Sequence, residues 1–278
     1  MTEIAQYEVP IRLGVFAGIF ALLTLCEILI PRRQRIKAWR ARWFSNFGLL
    51  ILSSILLRLA FPLAAVGFAA WMEEEGLGLF NVTPFPVWVE VILAIVLLDL
   101  AIWLQHLFMH YIPPLWALHR VHHTDEDLDA SSGVRFHPGE MIISFGIKLA
   151  AIWLLGPAAL AVFLFEVILN AASLFEHANI NLPRPIDAVL RCVIVTPDMH
   201  RVHHSVYPEE TNSNFGFCLS IWDRLLRTYK AQPRDGHKGM TLGLNKRPEG
   251  ETSSLLYVLI APFRKAQAAR TQSGSSEA

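Results

Sequence analysis

Charge is scarce in this chain. Only 17% of its 278 residues are Asp, Glu, Lys or Arg, and the 24 basic and 24 acidic residues cancel to a net charge of zero. A soluble domain of this length carries more charge. A balanced composition also offers no basic surface for nucleic acid, so no nucleic-acid partner is expected. Cysteine is scarcer still. Cys26, Cys192 and Cys218 are odd in number and far apart, which excludes both a disulfide framework and a cysteine-based zinc site. There is no Gly-x-Gly-x-x-Gly in a strand–helix setting, so no built-in flavin or nicotinamide site is expected. The marks of a cleaved signal peptide are missing too. The first apolar run, residues 13–30, has no basic cluster before it and ends in Pro-Arg-Arg rather than small residues. It reads as a retained span.

What the chain has is apolar length. Hydrophobic residues make up 53% of it, and its mean hydropathy is +0.39. Four blocks stand out: residues 13–30, 47–72, 87–109 and 141–175. A spanning helix needs roughly 20 apolar residues, so the first three qualify as single spans. The fourth is too long for one span and carries Gly156-Pro157 at its middle. That break predicts a helical hairpin with arms of roughly 15 residues, short enough to be re-entrant. The fold expected is all-α: an integral membrane helical bundle of about three spans plus a hairpin, with a cytoplasmic helical cap.

Orientation follows from the basic residues. Arg32, Arg33, Arg35, Lys37, Arg40 and Arg42 crowd the first connection without an acid, whereas Glu73, Glu74 and Glu75 mark the second. The positive-inside rule puts the first connection in the cytoplasm. The third span and the hairpin then both return to that side. Three units are expected: spans in 1–86, a catalytic unit in 87–263 and a disordered tail in 264–278. Residues 255–263 form a short apolar stretch suited to lying on the membrane surface.

Eleven histidines are present, and their placement is far from random. His106 and His110 form His-x-x-x-His at the end of the third span. His119, His122 and His123 form His-x-x-His-His, and His200, His203 and His204 repeat it. The surroundings repeat as well, HRVHHT against HRVHHS. Helical spacings of three and four bring side chains onto one face, so each set can converge. Neutral imidazole is a ligand for iron, zinc, copper and nickel, and eight nitrogens exceed one tetrahedral site. Two metals sharing the clusters is the economical count. His177 is a plausible further ligand, and His137, in Arg-Phe-His-Pro, a weaker one. His237 reads as an ordinary surface or hydrogen-bonded residue.

Asp99, inside the third span, reads as a buried hydrogen-bond acceptor for a neighbouring helix. Asp125, Glu126, Asp127, Asp198 and Asp223 flank the clusters, and some of them are expected behind the ligating rings. Arg120 and Arg201 hold equivalent repeat positions, suited to acids or lipid phosphate. Two other readings compete. A membrane metal hydrolase would need a base beside its metal, yet no His-Glu-x-x-His is present. A transporter would carry its site near the membrane midplane, yet these histidines lie at span ends.

The three histidine sets, spaced among membrane spans, resemble the fatty acid hydroxylase / sterol desaturase superfamily. So do Arg135-Phe-His-Pro138, Thr196-Pro-Asp-Met-His200, Asn214-Phe-Gly216 and Ile221-Trp-Asp-Arg224. The resemblance covers residues 90–263. It implies a di-iron oxidoreductase using molecular oxygen to hydroxylate or desaturate a lipid C–H bond. The ligands it implies are His106, His110, His119, His122, His123, His200, His203 and His204, with His177. Asn181 stands where some members carry a further histidine. Electrons are expected from a separate electron-transfer protein. Zinc in a purified sample is expected to be a replacement for iron. A bacterial inner membrane is the expected location, with the endoplasmic reticulum second.

Overall fold

The computed structural model describes residues 3–61, 63–83, 85–265 and 267–268. Long helices come first, second and fifth in the chain order: α1 (Glu3–Leu29), α2 (Trp39–Ala60) and, after two short helices α3 (Ala65–Glu74) and α4 (Leu79–Val82), α5 (Val87–Tyr111). The second apolar block is therefore not one continuous helix. Phe61, which precedes Pro62, is extended (φ −124°, ψ 105°), as a residue before proline prefers, and the chain restarts as α3. Next come α6 (Pro113–His119) and the hairpin α7 (Pro138–Leu155) and α8 (Ala159–His177).

The hairpin breaks at the expected Gly-Pro. Gly156 caps α7 with φ +59°, a left-handed conformation that glycine adopts without penalty. Its arms are 18 and 19 residues long, and both are apolar enough to cross a membrane. Among the described residues, five segments meet that criterion by length and composition: residues 7–29, 39–82, 87–111, 138–155 and 159–177. Their outer faces agree. Leu22, Ile28, Ile51, Leu59, Trp88, Ile92, Trp153 and Leu154 are exposed, a continuous apolar surface that water would not tolerate.

Inside the bundle, Ala65, Ala69, Ala94 and Ala161 are buried against Leu98, Ile102, Ile152 and Phe165. Small residues let α3, α5, α7 and α8 approach closely, which is how helices associate where lipid is as apolar as leucine.

Short elements build the cap: α9 (Arg184–Leu190), α10 (Pro197–His203), α11 (Pro208–Thr211), α12 (Ile221–Leu225), α13 (Gly236–Gly239) and α14 (Leu255–Ile260), with 3-10 turns at His122–Thr124, Ala130–Val134 and Ala261–Phe263. Strands β1 (Lys246–Arg247) and β2 (Gln267–Ala268) pair antiparallel. The 255–263 stretch packs its Tyr257, Val258 and Ala261 on Leu49 and Val121, and exposes Leu256 and Phe263. Most of the expected tail, residues 269–278, lies outside the described residues.

Ion pairs lock the cap to the spans. Buried Arg42 of α2 bonds Asp125 at 2.7 and 2.8 Å and Asp129 at 2.7 Å. Burial pushes the Asp125 carboxyl up, but the Arg42 guanidinium outweighs it and holds it well below the usual carboxylate range. Buried Arg135 donates to Asn46 Oδ1, Thr124 Oγ1 and the Thr252 carbonyl at 2.7–2.8 Å. In the basic connection, Arg32 grips Asp198 with two nitrogens and Arg35 bonds Glu27 at 2.7 Å. Much of the charge that set the orientation thus also fastens the cap.

Candidate metal centre

Each histidine is delivered by a local rule. His106 and His110, four apart, share a face of the last turns of α5. Pro113 cannot continue that helix, so Ile112 is extended (φ −98°) and α6 restarts with prolines in its first turn. It ends on His119, and the 3-10 turn carries His122 and His123. His177 is the last residue of α8. Thr196 caps α10 by accepting from Met199 N at 3.4 Å, and His200 and His203 follow on that helix with His204 at its end.

The nine rings form two groups. His106, His110, His119, His123 and His203 make one; His122, His177, His200 and His204 make the other, and within each group the ligand atoms lie within 4.8 Å of one another. Each His-x-x-His-His was expected to converge as a set. Instead each is shared: the first sends His119 and His123 to one group and His122 to the other, and the second sends His203 to one and His200 and His204 to the other. In both sets the two rings four residues apart stay together, and the remaining ring, His122 or His203, goes to the other group. Eight of the rings belong to buried residues; His110 is half-buried, with its Nε2 enclosed.

Outward nitrogens fix the tautomers. The Nδ1 atoms of His106, His177 and His203 donate to the carbonyls of Phe215, Ser173 and Ser213 at 2.7–2.8 Å. His122 Nδ1 lies 3.3 Å from the Arg135 carbonyl and His119 Nδ1 2.6 Å from Glu140. A carbonyl only accepts, so the proton sits on Nδ1 and Nε2 is bare. Yet the Nε2 atoms of His122 and His177 face each other at 3.0 Å, and those of His106 and His119 at 3.1 Å. Two bare lone pairs at that distance repel, and a cation between them removes the conflict. The Nε2 atoms of His110 and His203 have no hydrogen-bond partner. The residues therefore fit metal ions.

Burial, reinforced by neighbouring imidazoles, pushes His122, His123, His200 and His204 well below the ordinary histidine range and His203 down to about 3. All stay neutral at physiological pH, as ligation requires.

The carboxylates nearest the rings are Glu140 and Glu176, neither of which sequence reasoning singled out. Glu176 lies 3.7 Å from His177 Nδ1 and 3.6 Å from His200 Nδ1. Its place beside His177 was the one available signal; Glu140, 21 residues from His119, gave none. The flanking acids stand further back. Asp223 accepts from Phe215 N and Gly216 N at 2.9 Å and so sets the carbonyl that meets His106. Asp125 and Asp198 hold arginines, Asp127 accepts from Ile36 N and Lys37 N, and Glu126 pairs with Lys37. Arg201 pairs with Asp198, and Arg120 donates to the Ala261 and Arg264 carbonyls.

Other expectations resolve plainly. Asp99 accepts from Cys218 N, Leu219 N and Trp222 Nε1 at 2.9–3.2 Å, a buried acceptor as read. His137 joins neither group; it caps α7, accepting from Gly139 N at 3.0 Å, and meets the Leu259 carbonyl. His237 is buried near Asp198, not on the surface. Asn181 is exposed and donates its backbone N–H to the Ile30 carbonyl.

A cavity of about 120 Å³ opens on the first group, between α2, α5, α7 and α8. His106, His119 and Glu140 line it, together with Leu50, Ile102, Met141, Leu169 and Phe217. A Cβ on Gly133 would lie 2.4 Å from the Ser173 carbonyl, so only glycine lets this wall close on α8.

Comparisons agree with this architecture. Residues 91–228 match the model of the fatty acid hydroxylase family. An ornithine lipid hydroxylase of Rhizobium tropici is 29% identical over 234 residues, 79% of this chain and 67% of that protein. Alkylglycerol monooxygenases of Danio rerio and Homo sapiens are 28% and 27% identical, over 54% and 50% of this chain. The match spans only 32% and 30% of their lengths. No solved structure matches the chain. Residues 91–228, which carry the eight histidines of the three sets together with His177, are thus the part of the chain that is similar to the fatty acid hydroxylase family.

Proposed function

We propose that this chain is a membrane-bound di-iron oxidoreductase that uses O2 to hydroxylate or desaturate a C–H bond of a membrane lipid. One observation carries the reading: two groups of enclosed, neutral imidazoles lie side by side, and one opens on an apolar cavity between spans. His106, His110, His119, His123 and His203 would hold one iron, and His122, His177, His200 and His204 the other. When bound, the two irons supply the oxidising power that an unactivated C–H bond requires.

The protein's own work is positioning. Carbonyls of Phe215, Ser173 and Ser213 aim three rings inward, and Glu140 aims a fourth. Such supporting bonds hold ligands in place and raise their basicity. The cavity wall receives a lipid chain from between the spans and excludes water from the reacting carbon. Residues 1–86 would frame the bundle, and 87–263 would form the catalytic unit. The relatives' names point to polar lipids, an ornithine lipid and an alkylglycerol. Electrons would come from a separate protein at the cap. The basic connection at 31–42 and the acids at 73–75 support a cytoplasmic cap, in a bacterial inner membrane.

Glu140 keeps one competitor alive. Its Oε2 is buried without a partner, on a residue that lines the cavity, where a hydrolase would want its base. Turnover of a lipid extract under isotopically labelled O2 with a chemical reductant separates the two. The oxygenase incorporates label into a hydroxylated product, or yields an alkene, only with O2 and reductant. Cleavage of the lipid without either would establish the hydrolase.

A further inference from the structure

The cavity's lining is largely apolar, with several polar side chains set among it. Gln105 and Ser53 both line it, and both are more than nine-tenths buried, at 8% and 3% exposure. Gln105 Nε2 donates to Ser144 Oγ at 2.8 Å, which leaves Gln105 Oε1 without a partner. Ser53 Oγ has none either. These atoms belong to α2 and α5, inside the spans, where neither water nor lipid tails satisfy a polar group and an unmet one costs several kcal/mol by general estimate. A cavity meant for plain hydrocarbon has no use for them.

Resting on the oxygenase reading, we propose that Gln105 and Ser53 form a recognition site for a hydroxyl group on the lipid substrate. The chemistry favours a hydroxyl over an ether or ester oxygen. Gln105 Oε1 needs a donor, and an ether or ester oxygen only accepts. If the amide is turned the other way, Ser144 donates to it and its N–H is the free end. A hydroxyl donates and accepts through one atom, so it satisfies either setting and can also pair with Ser53. Gln105 directly precedes His106, and both face the same cavity of about 120 Å³. A hydroxyl held by Gln105 therefore fixes the carbon attacked within a few bonds of itself. The substrate class is a lipid with a free hydroxyl near the oxidised position, and the pair selects for it.

The test is binding, which needs no turnover. The iron-loaded protein in phosphatidylcholine nanodiscs would be titrated with hexadecyl glyceryl ether, which carries hydroxyls, and with its dimethyl ether, displacing an environment-sensitive fluorescent alkyl probe. The expected result is a preference of about tenfold for the free hydroxyl, the worth of one buried hydrogen bond. Gln105→Leu removes that preference while the probe's own affinity and the iron content hold. Ser53→Ala weakens it, and Ser53→Thr, which keeps the hydroxyl, restores it. Equal affinity of the wild type for the two lipids overturns the proposal, as does a preference that survives in Gln105→Leu. The second outcome would place recognition of the hydroxyl elsewhere in the protein. A hydroxyl preference in a protein with no O2 chemistry would sink the oxygenase reading and leave the recognition site standing.

Discussion

His119 sits at the centre of one ring group, with its Nε2 3.1 Å from that of His106 and 3.2 Å from that of His123, and Glu140 holds its other nitrogen. Changing Glu140→Gln weakens that hold without opening space. The expected result is a loss of about ten- to a hundredfold in iron affinity, read by competition with a chelator, with the apoprotein's melting temperature nearly unchanged. Unaltered iron affinity would remove Glu140 from the centre. His203 gives the pH dependence. Its folded value is about 3, and in the unfolded chain it returns to about 6.5. Between those values the unfolded chain holds a proton that the folded chain refuses, so stability present above about pH 6.5 is lost as pH falls. The apoprotein should melt progressively lower from about pH 7 to about pH 5, and less steeply in His203→Ala. At this scale the sequence was legible where the chemistry repeats, HRVHHT against HRVHHS. The partition of each repeat between two centres was not, because it depends on how α5, α6, α8 and α10 pack together and not on spacing alone. Glu140 was invisible because its partner lies across the fold.

Among the elements, α2 is tied to the cap by the ion pairs of Arg42. Arg42 is 1% exposed and its partners Asp125 and Asp129 are buried with it. Removing one partner leaves the guanidinium under-paired in a buried site. Asp125→Asn should cost about 3–5 kcal/mol, read as a lower unfolding midpoint in detergent and a fall in iron content as the loop carrying His122 and His123 loosens. A variant as stable as the wild type would mean that Asp129 alone suffices. The hairpin was readable from Gly156-Pro157, since backbone chemistry there is local. The restart after Ala60 was not read, although Pro62 announces it, because hydropathy runs unbroken through residues 47–72. Short cap helices such as α9 to α13 carry no periodicity long enough to be read. Their places are set by long-range bonds, Arg32 to Asp198 and Asp99 to the 218–222 segment.

For the molecule as a whole, apolar faces of the long helices surround a bundle whose ring groups lie where α5 and α8 end. Because α5 ends at Tyr111 and α8 at His177, and α7 starts at Pro138, all nine rings gather on one side. In a background without native cysteines, a cysteine at Glu74 should react with an impermeant maleimide in intact cells. One at Lys230 should react only after permeabilisation. The reverse pattern would invert the orientation taken from the basic connection. The central claim is that the two ring groups hold two coupled irons. It is tested most directly by iron analysis with Mössbauer spectroscopy on anaerobically purified protein, wild type against His203→Ala. The account predicts one iron for each of the two groups, magnetically coupled in the wild type, with the coupled signal lost in the variant. Failure of the wild type to take up iron on anaerobic reconstitution, with tight zinc in its place, would contradict it.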